Sequence, residues 1–218
     1  GFLPNFAGSI VAMLATASVG AIWSSCSPDF GEQGVIDRFG QIEPKVLFCV
    51  DGYFYNGKLH NCLSKIKSFT ARLPTLKQVV KFDYASVDNI SIDNSISYQE
   101  ILDNYEPTEI DFERVGFDHP LYIMYSSGTT GVPKCIVHGH GGTLVQHLKE
   151  HQLQTNISAG DRVFYFTTCS WMMWNWLVSA LGTGATIMLY DGSPTYPDDI
   201  VLWKFADEEQ FSHFGTSA

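Results

Sequence analysis

Positive charge is scarce in this chain: 13 Lys and Arg stand against 23 Asp and Glu, a formal net charge of −10, and the cations are scattered. Nucleic acid or an anionic membrane surface would be repelled by such a chain, which excludes both as the main partner. Cysteine pairing is also missing. Cys26, Cys49, Cys62, Cys135 and Cys169 form no C-x-x-C pair and leave an odd count, so neither a disulfide framework nor a zinc ribbon is indicated and a reducing cytosolic or matrix compartment is expected, the cytosol first. No apolar run is long enough for a membrane span. The longest, residues 10–23, is broken by Thr16 and Ser18, and no basic segment precedes it to make a signal peptide. Repeats, heptads and low-complexity tracts do not occur.

What is present is ample core material. Hydrophobic residues make up 45% of the 218 and charged ones only 17%, a globular composition. Asn5 reads as the N-cap of a helix with Ile10, Met13, Leu14 and Ala17 at helical spacing, and Gly20 as its stop before a strand over 21–24. A helix over 34–41, a strand over 45–50, a turn-rich connector at Asp51-Gly52 and Asn56-Gly57, a helix over 63–73 and a strand over 78–82 follow. Residues 83–97 are polar and turn-forming, Ser97 and Glu100 have capping-box spacing for a helix ending near Tyr105, and residues 106–119 read as loop. Farther on, helices are predicted over 143–154 and 171–181 and strands over 162–167 and 185–190, and Asp198 and Asp199 suit the first turn of a helix running to about Ala206. This alternation predicts an α/β architecture with largely parallel sheets flanked by helices. The chain starts without Met and stops within an apparent strand, so it is expected to be an internal piece of a longer protein.

The stretch with the most chemistry is the apolar run Tyr122-Ile123-Met124-Tyr125 leading into Ser126-Ser127-Gly128-Thr129-Thr130-Gly131-Val132-Pro133-Lys134. Gly128 and Gly131 free the backbone so that successive N–H groups can converge on an anion. The hydroxyls add donors and Lys134 adds positive charge. This is not the Walker pattern, which needs Gly before the lysine and a hydroxyl residue after it; Pro133 and Cys135 stand there. Pro133 disfavours helix at Val132, and Cys135-Ile136-Val137-His138 reads as a second strand. Strand, phosphate loop, strand is the predicted order, with a bare Ser/Gly hairpin as the bland alternative.

That order of residues resembles the phosphate loop of the adenylate-forming superfamily of acyl-CoA synthetases, adenylation domains and luciferases. Three further segments resemble its acetoacetyl-CoA synthetase branch: residues 20–31 (GAIWSSCSPDFG), residues 171–181 (WMMWNWLVSAL) and residues 213–218 (HFGTSA). The resemblance spans nearly the whole chain, and the Trp-Met-Met-Trp-Asn-Trp run is narrower than the superfamily pattern. Ser170, where Gly is expected, and His140, in a usually uncharged stretch, depart from it.

The resemblance implies that residues 1–218 are part of an N-terminal AMP-binding domain without its C-terminal lid, acting on acetoacetate, ATP with Mg2+, and coenzyme A. On it, Ser126, Ser127, Gly128, Thr129, Thr130, Gly131 and Lys134 hold the β- and γ-phosphates, with Lys134 and Thr129 the catalytic pair. Gly215, Thr216 and Ser217 border the nucleotide. Trp171, Met172, Met173 and Trp174 line the acyl pocket, with Met172 and Met173 against the acyl chain. The adenine segment, the ribose-binding Asp, the hinge and the C-terminal lysine lie beyond this chain in the family, so the piece alone is expected to be inactive.

The residues also leave alternatives. Bulky side chains at helical spacing are commonly core, yet four in succession cannot all face one core, because neighbours point roughly 100° apart. Trp174 or Trp176 is a candidate indole donor to a β-keto carbonyl. His147 and His151, four apart, have a spacing that can share a metal, but without a third ligand they read as a solvated face, and no metal site is assigned. His138 and His140 flank the loop and read as structural. Acetate or propionate in place of acetoacetate, or a non-catalytic nucleotide-binding module, are the competing functional readings.

Overall fold

A computed structural model describes residues 1–88, 90–126 and 131–216. The first units run as the pattern predicts: helix α1 (Ala7–Ser18), strand β1 (Trp23–Ser24), helix α2 (Glu32–Ile42) and strand β2 (Val46–Val50). Asn5, however, does not cap α1. Phe6 occupies the cap position without a side-chain bond, and Asn5 accepts the indole N–H of Trp174 at 3.0 Å while its amide donates to the Tyr190 carbonyl at 3.4 Å. The buried stripe of α1 includes Ile10, Ala12 and Met13, whereas Leu14 is 47% exposed.

Residues 51–61, expected as a connector, form a hairpin of β3 (Gly52–Tyr55) and β4 (Lys58–Asn61) around Asn56-Gly57. The turn dipeptide favours tight hairpins, but Tyr53, Phe54 and Tyr55 in succession hide the strand alternation. Helix α3 (Leu63–Thr70) and strand β5 (Gln78–Phe82) fall as predicted, followed by an unforeseen short β6 (Ser95–Ser97) and helix α4 (Tyr98–Asn104). Ser97 does cap α4, its hydroxyl accepting from the Gln99 amide at 3.2 Å.

Strands β7 (Pro120–Tyr125) and β8 (Cys135–Gly139) flank the candidate loop, and helix α5 (His140–Lys149) runs into a π-helical turn at Glu150–Gln154. Then come β9 (Arg162–Tyr165), α6 (Met172–Ser179), β10 (Thr186–Met188), α7 (Val201–Glu208) and β11 (His213–Gly215). Asp198 and Asp199 precede α7 rather than forming its first turn; Asp198 accepts the Ile200 amide at 3.2 Å and pairs with Lys204 at 2.7 Å.

The strand orders are β2-β5-β6, β1-β7-β8, β10-β9-β11 and the β3-β4 hairpin, and every pairing is parallel except β3 with β4 and β7 with β8. Phe2 makes parallel bridges to both Cys26 and Cys49, joining the first two sheets. Phe2, Val35, Phe39, Leu63, Ile66 and Phe69 pack one core against β2 and β5. A second, with Ile10, Met13, Trp23, Tyr122 and Trp174, joins α1, β1, β7 and α6. The fold is mixed α/β with mostly parallel sheets flanked by helices, and parallel pairing puts the carboxyl ends of β1 and β7 on one side, where such folds place ligands.

Candidate active site

Tyr125 ends β7 opposite Cys135 at the start of β8, so the residues between them close a loop: strand, loop, strand, as predicted. Its neck is tied twice. The Ser126 amide donates to the Lys134 carbonyl and the Lys134 amide donates to the Ser126 hydroxyl oxygen, both at 3.0 Å. Gly131 has φ +97° with open space where a Cβ would stand, a conformation that strains any other residue. Ser127, Gly128, Thr129 and Thr130, named from the sequence as phosphate contacts, lie outside the described residues.

Two serines that sequence reasoning did not single out join this neck to the rest of the site. Ser24 Oγ is 2.9 Å from both the Ile123 carbonyl and the Tyr125 hydroxyl. With one proton it donates to the carbonyl and accepts from the phenol, which fixes the last residue of β7. Ser25 Oγ donates to the Cys169 carbonyl at 2.5 Å, tying the segment after β1 to the segment that leads into α6. A small cavity of about 10 Å³ at this junction is lined by Trp23, Tyr122, Met124, Ser170 and Asn175, among others. The run Ser24-Ser25-Cys26-Ser27 was the available signal; nothing local shows which carbonyl each hydroxyl meets.

The Trp-Met-Met-Trp segment divides as helical geometry requires. Trp171 is 56% and Met172 40% exposed, Met173 is partly buried, and Trp174 is fully buried against Trp23, ring centroids 6.4 Å apart. Trp174 is therefore a core anchor, not a pocket wall: a side chain already sealed here gains no access when more protein is added. Its N–H belongs to Asn5, and that of Trp176 donates to Glu150 at 3.1 Å. Neither indole is placed to donate to a β-keto carbonyl.

Gly215 ends β11 beside β9, where its carbonyl accepts from the Phe166 amide at 2.8 Å. A Cβ at 215 would sit 2.2 Å from the Tyr165 ring, so glycine is required by that close approach. Thr216 is exposed beyond it, and Ser217 lies outside the described residues.

The histidine pair is neither a solvated face nor a ligand pair. His147 and His151 are buried, and His147 Nδ1 and His151 Nε2 lie 2.8 and 2.9 Å from the Ser179 hydroxyl oxygen. That hydroxyl donates to the Trp176 carbonyl at 2.7 Å, so both rings donate to it. Burial, and for His147 also the neighbouring His151, hold their pKa values below the usual histidine range. His138 stacks on Tyr122 across the β7–β8 ladder at 5.1 Å, and His140 faces the His119 ring at 5.6 Å.

All five cysteines are free thiols. Burial pushes Cys26, Cys49 and Cys169 up to about 12 and Cys62 to about 11, which leaves them inert as nucleophiles. A larger cavity of about 500 Å³ lies between the β1 and β2 edges, walled by Ile22, Trp23, Val46, Leu47 and Phe48. Its walls are mostly apolar, with Thr16, Ser24, Glu43 and Lys45 among the lining residues. Among the described residues no helix is long and apolar enough to cross a membrane.

Residues 2–217 match the AMP-binding enzyme family. The chain belongs to that family. It is 54% identical to the acetoacetyl-coenzyme A synthetase of Rhizobium meliloti (strain 1021), over 99% of this chain and 33% of that protein. It is 45% identical to the malonamoyl-CoA synthetase of Penicillium aethiopicum, over 100% of this chain and 33% of that one. The solved acetoacetyl-CoA synthetase from Streptomyces lividans superposes with a TM-score of 0.95 at 46% identity, covering 100% of this chain and 33% of its own. The chain thus spans about a third of the length of the curated relatives it matches. The superfamily resemblance is borne out.

Proposed function

We propose that the polypeptide carrying this chain is an ATP-dependent acid:CoA ligase acting on acetoacetate. The carboxylate oxygen attacks the α-phosphorus of ATP and pyrophosphate leaves. The coenzyme A thiol, losing its proton, then attacks the acyl carbon and AMP leaves. The observation that carries this reading is the 54% identity to an acetoacetyl-coenzyme A synthetase along 99% of the chain, which includes the phosphate loop and the Trp-Met-Met-Trp run.

The residues present fit the phosphates. A neck closed by Ser126 and Lys134, with a left-handed Gly131, supports a loop whose sequence supplies glycines, hydroxyls and the Lys134 ammonium for an anion. Lys134 and Thr129 act at the β- and γ-phosphates, with Ser126, Ser127, Gly128, Thr130 and Gly131 as the rest of the cradle. Mg2+ bound with ATP would supply further neutralisation of phosphate charge beside Lys134. Trp171, Met172 and Met173 line the acyl side, and Gly215, Thr216 and Ser217 border the nucleotide. Five free thiols support a reducing, cytosolic setting.

A second acid is favoured by one finding. At 45% identity over the whole chain, the malonamoyl-CoA synthetase of Penicillium aethiopicum activates an acid that, like acetoacetate, bears a carbonyl β to the carboxylate. The test is acid-dependent ATP–pyrophosphate exchange by the full-length polypeptide with acetoacetate, malonamate, acetate and propionate. We expect the highest kcat/KM for acetoacetate; a higher value for malonamate transfers the specificity, and no exchange with any acid removes the ligase reading.

A further inference from the structure

Helix α2 reaches the phosphate loop with Arg38 and Gln41, three residues apart and so on one face. Gln41 Nε2 donates to the Pro133 carbonyl at 2.8 Å, a contact across 92 residues of sequence, and the same amide lies 2.6 Å from the Asp37 carbonyl one turn back. The Arg38 guanidinium carbon sits 5.7 Å from the Tyr125 ring centroid and 4.6 Å from that of Phe30, with Nη1 held by the Gly34 carbonyl at 2.8 Å. Tyr125 precedes Ser126 and Pro133 precedes Lys134. One helix therefore touches the residue immediately before each member of the pair that ties the neck.

We propose that Arg38 and Gln41 are positioning residues for the phosphate loop, a clamp from α2 on both of its limbs. The inference rests on the loop's reading as a phosphate site. Holding the Pro133 carbonyl orients the 133–134 peptide, whose N–H bonds Ser126, and this aims the root of Lys134. Holding the Tyr125 ring does the same for the incoming limb, together with Ser24. A cradle fixed before ATP arrives need not reorganise when charge develops on the phosphates. Neither residue is assigned a contact with substrate.

The test uses Gln41→Met and Arg38→Met in the full-length polypeptide, with Gln33→Met, elsewhere on α2, as control and Gln41→Lys as a variant that keeps a donor. Amide hydrogen exchange at Lys134 should accelerate about three- to tenfold in the first two, the scale of one lost contact, and not in the control. The adenylation rate should fall by a similar factor, with KM for the acid unchanged and transfer from preformed acyl-adenylate to coenzyme A unchanged. Gln41→Lys should recover most of the rate. Unaltered exchange at Lys134 overturns the clamp whatever the activity, and so does faster exchange with unaltered adenylation while Lys134→Ala is slow. If Lys134→Ala also adenylates normally, it is the phosphate-loop reading that fails.

Discussion

Asp51 shows how much one side chain can hold. Only 1% exposed, it accepts the backbone amides of Gly52, Tyr84 and Ala85 on Oδ1 at 2.8–2.9 Å and of Val87 on Oδ2 at 3.1 Å. It thereby fastens the end of β2 to the chain leaving β5. Removing it leaves several buried donors without an acceptor, so Asp51→Ala should cost about 3–5 kcal/mol, read as a lower denaturant midpoint at unchanged m-value; a loss under about 1 kcal/mol would mean water serves those amides equally well. The sequence shows Asp51-Gly52 only as a turn signal, because the partners other than Gly52 lie more than thirty residues on. The aromatic run makes the same point in reverse. Trp174→Phe should destabilise by about 1–2 kcal/mol, by orphaning the buried Asn5 acceptor, and leave the ranking of acids unaltered. Met173→Ala should alter that ranking severalfold in kcat/KM, the size expected of a few methylenes in an apolar pocket, with little loss of stability. Pyrophosphate exchange and thermal melting on both variants separate a core anchor from a pocket wall; a changed ranking in Trp174→Phe alone would reverse the assignment.

At the scale of elements, α5 and α6 are joined by the buried contact of His147, His151 and Ser179, reinforced by Glu150 with Trp176. Both rings donate to one hydroxyl in a buried setting, and both pKa values lie below the ordinary histidine value. The unfolded chain therefore binds more protons just below pH 6.5. The contact contributes fully above that pH, and its stabilisation is lost progressively as pH falls below it. Glu150 opposes the shift in both rings, and His138 adds to it at His147. Asp191 acts the other way: burial raises its carboxyl to about 6 despite the Tyr84 hydroxyl that donates to it, so protonation there favours the folded state as pH falls. The measurement is consequently a difference, melting from pH 7.5 to 5.5 for wild type and for His147→Gln/His151→Gln. The wild type should show the steeper loss on acidification, and parallel curves would remove the pair from the pH dependence. This pairing was not legible, since i, i+4 spacing is the same for a wet face and a buried one and Ser179 lies 28 residues from His151. The amphipathic helices α2 and α3 were legible to within three residues at each end, and the apolar runs of β2 and β5 to within one. The hairpin and β6 were not, being short and settled by their partners.

At the scale of the molecule, strand–loop–strand order was visible because Gly and Pro punctuate it locally, while the convergence of β1, β7 and α6 was not, because Ser24 and Ser25 act across about 100 and 144 residues. That convergence also sets what the chain can do by itself. The sheets place the tied neck of the loop and the entrance to α6 at joined strand ends, yet Trp171, Met172 and Val132 stand exposed. A ligand held at such a site would be contacted from one side and stay wet on the other, where water screens charges and competes for hydrogen bonds. Transition-state stabilisation by fixed dipoles needs water excluded and both faces of the phosphates contacted, and the chain covers only 33% of the Rhizobium meliloti relative. The 218-residue chain alone is therefore expected to fold, to bind ATP weakly, and to give no acetoacetate-dependent pyrophosphate exchange above a Lys134→Ala control, whereas the full-length polypeptide exchanges readily. Exchange by the isolated chain that Lys134→Ala abolishes would show that these strand ends already enclose the reacting groups, and would place the source of catalysis within these 218 residues.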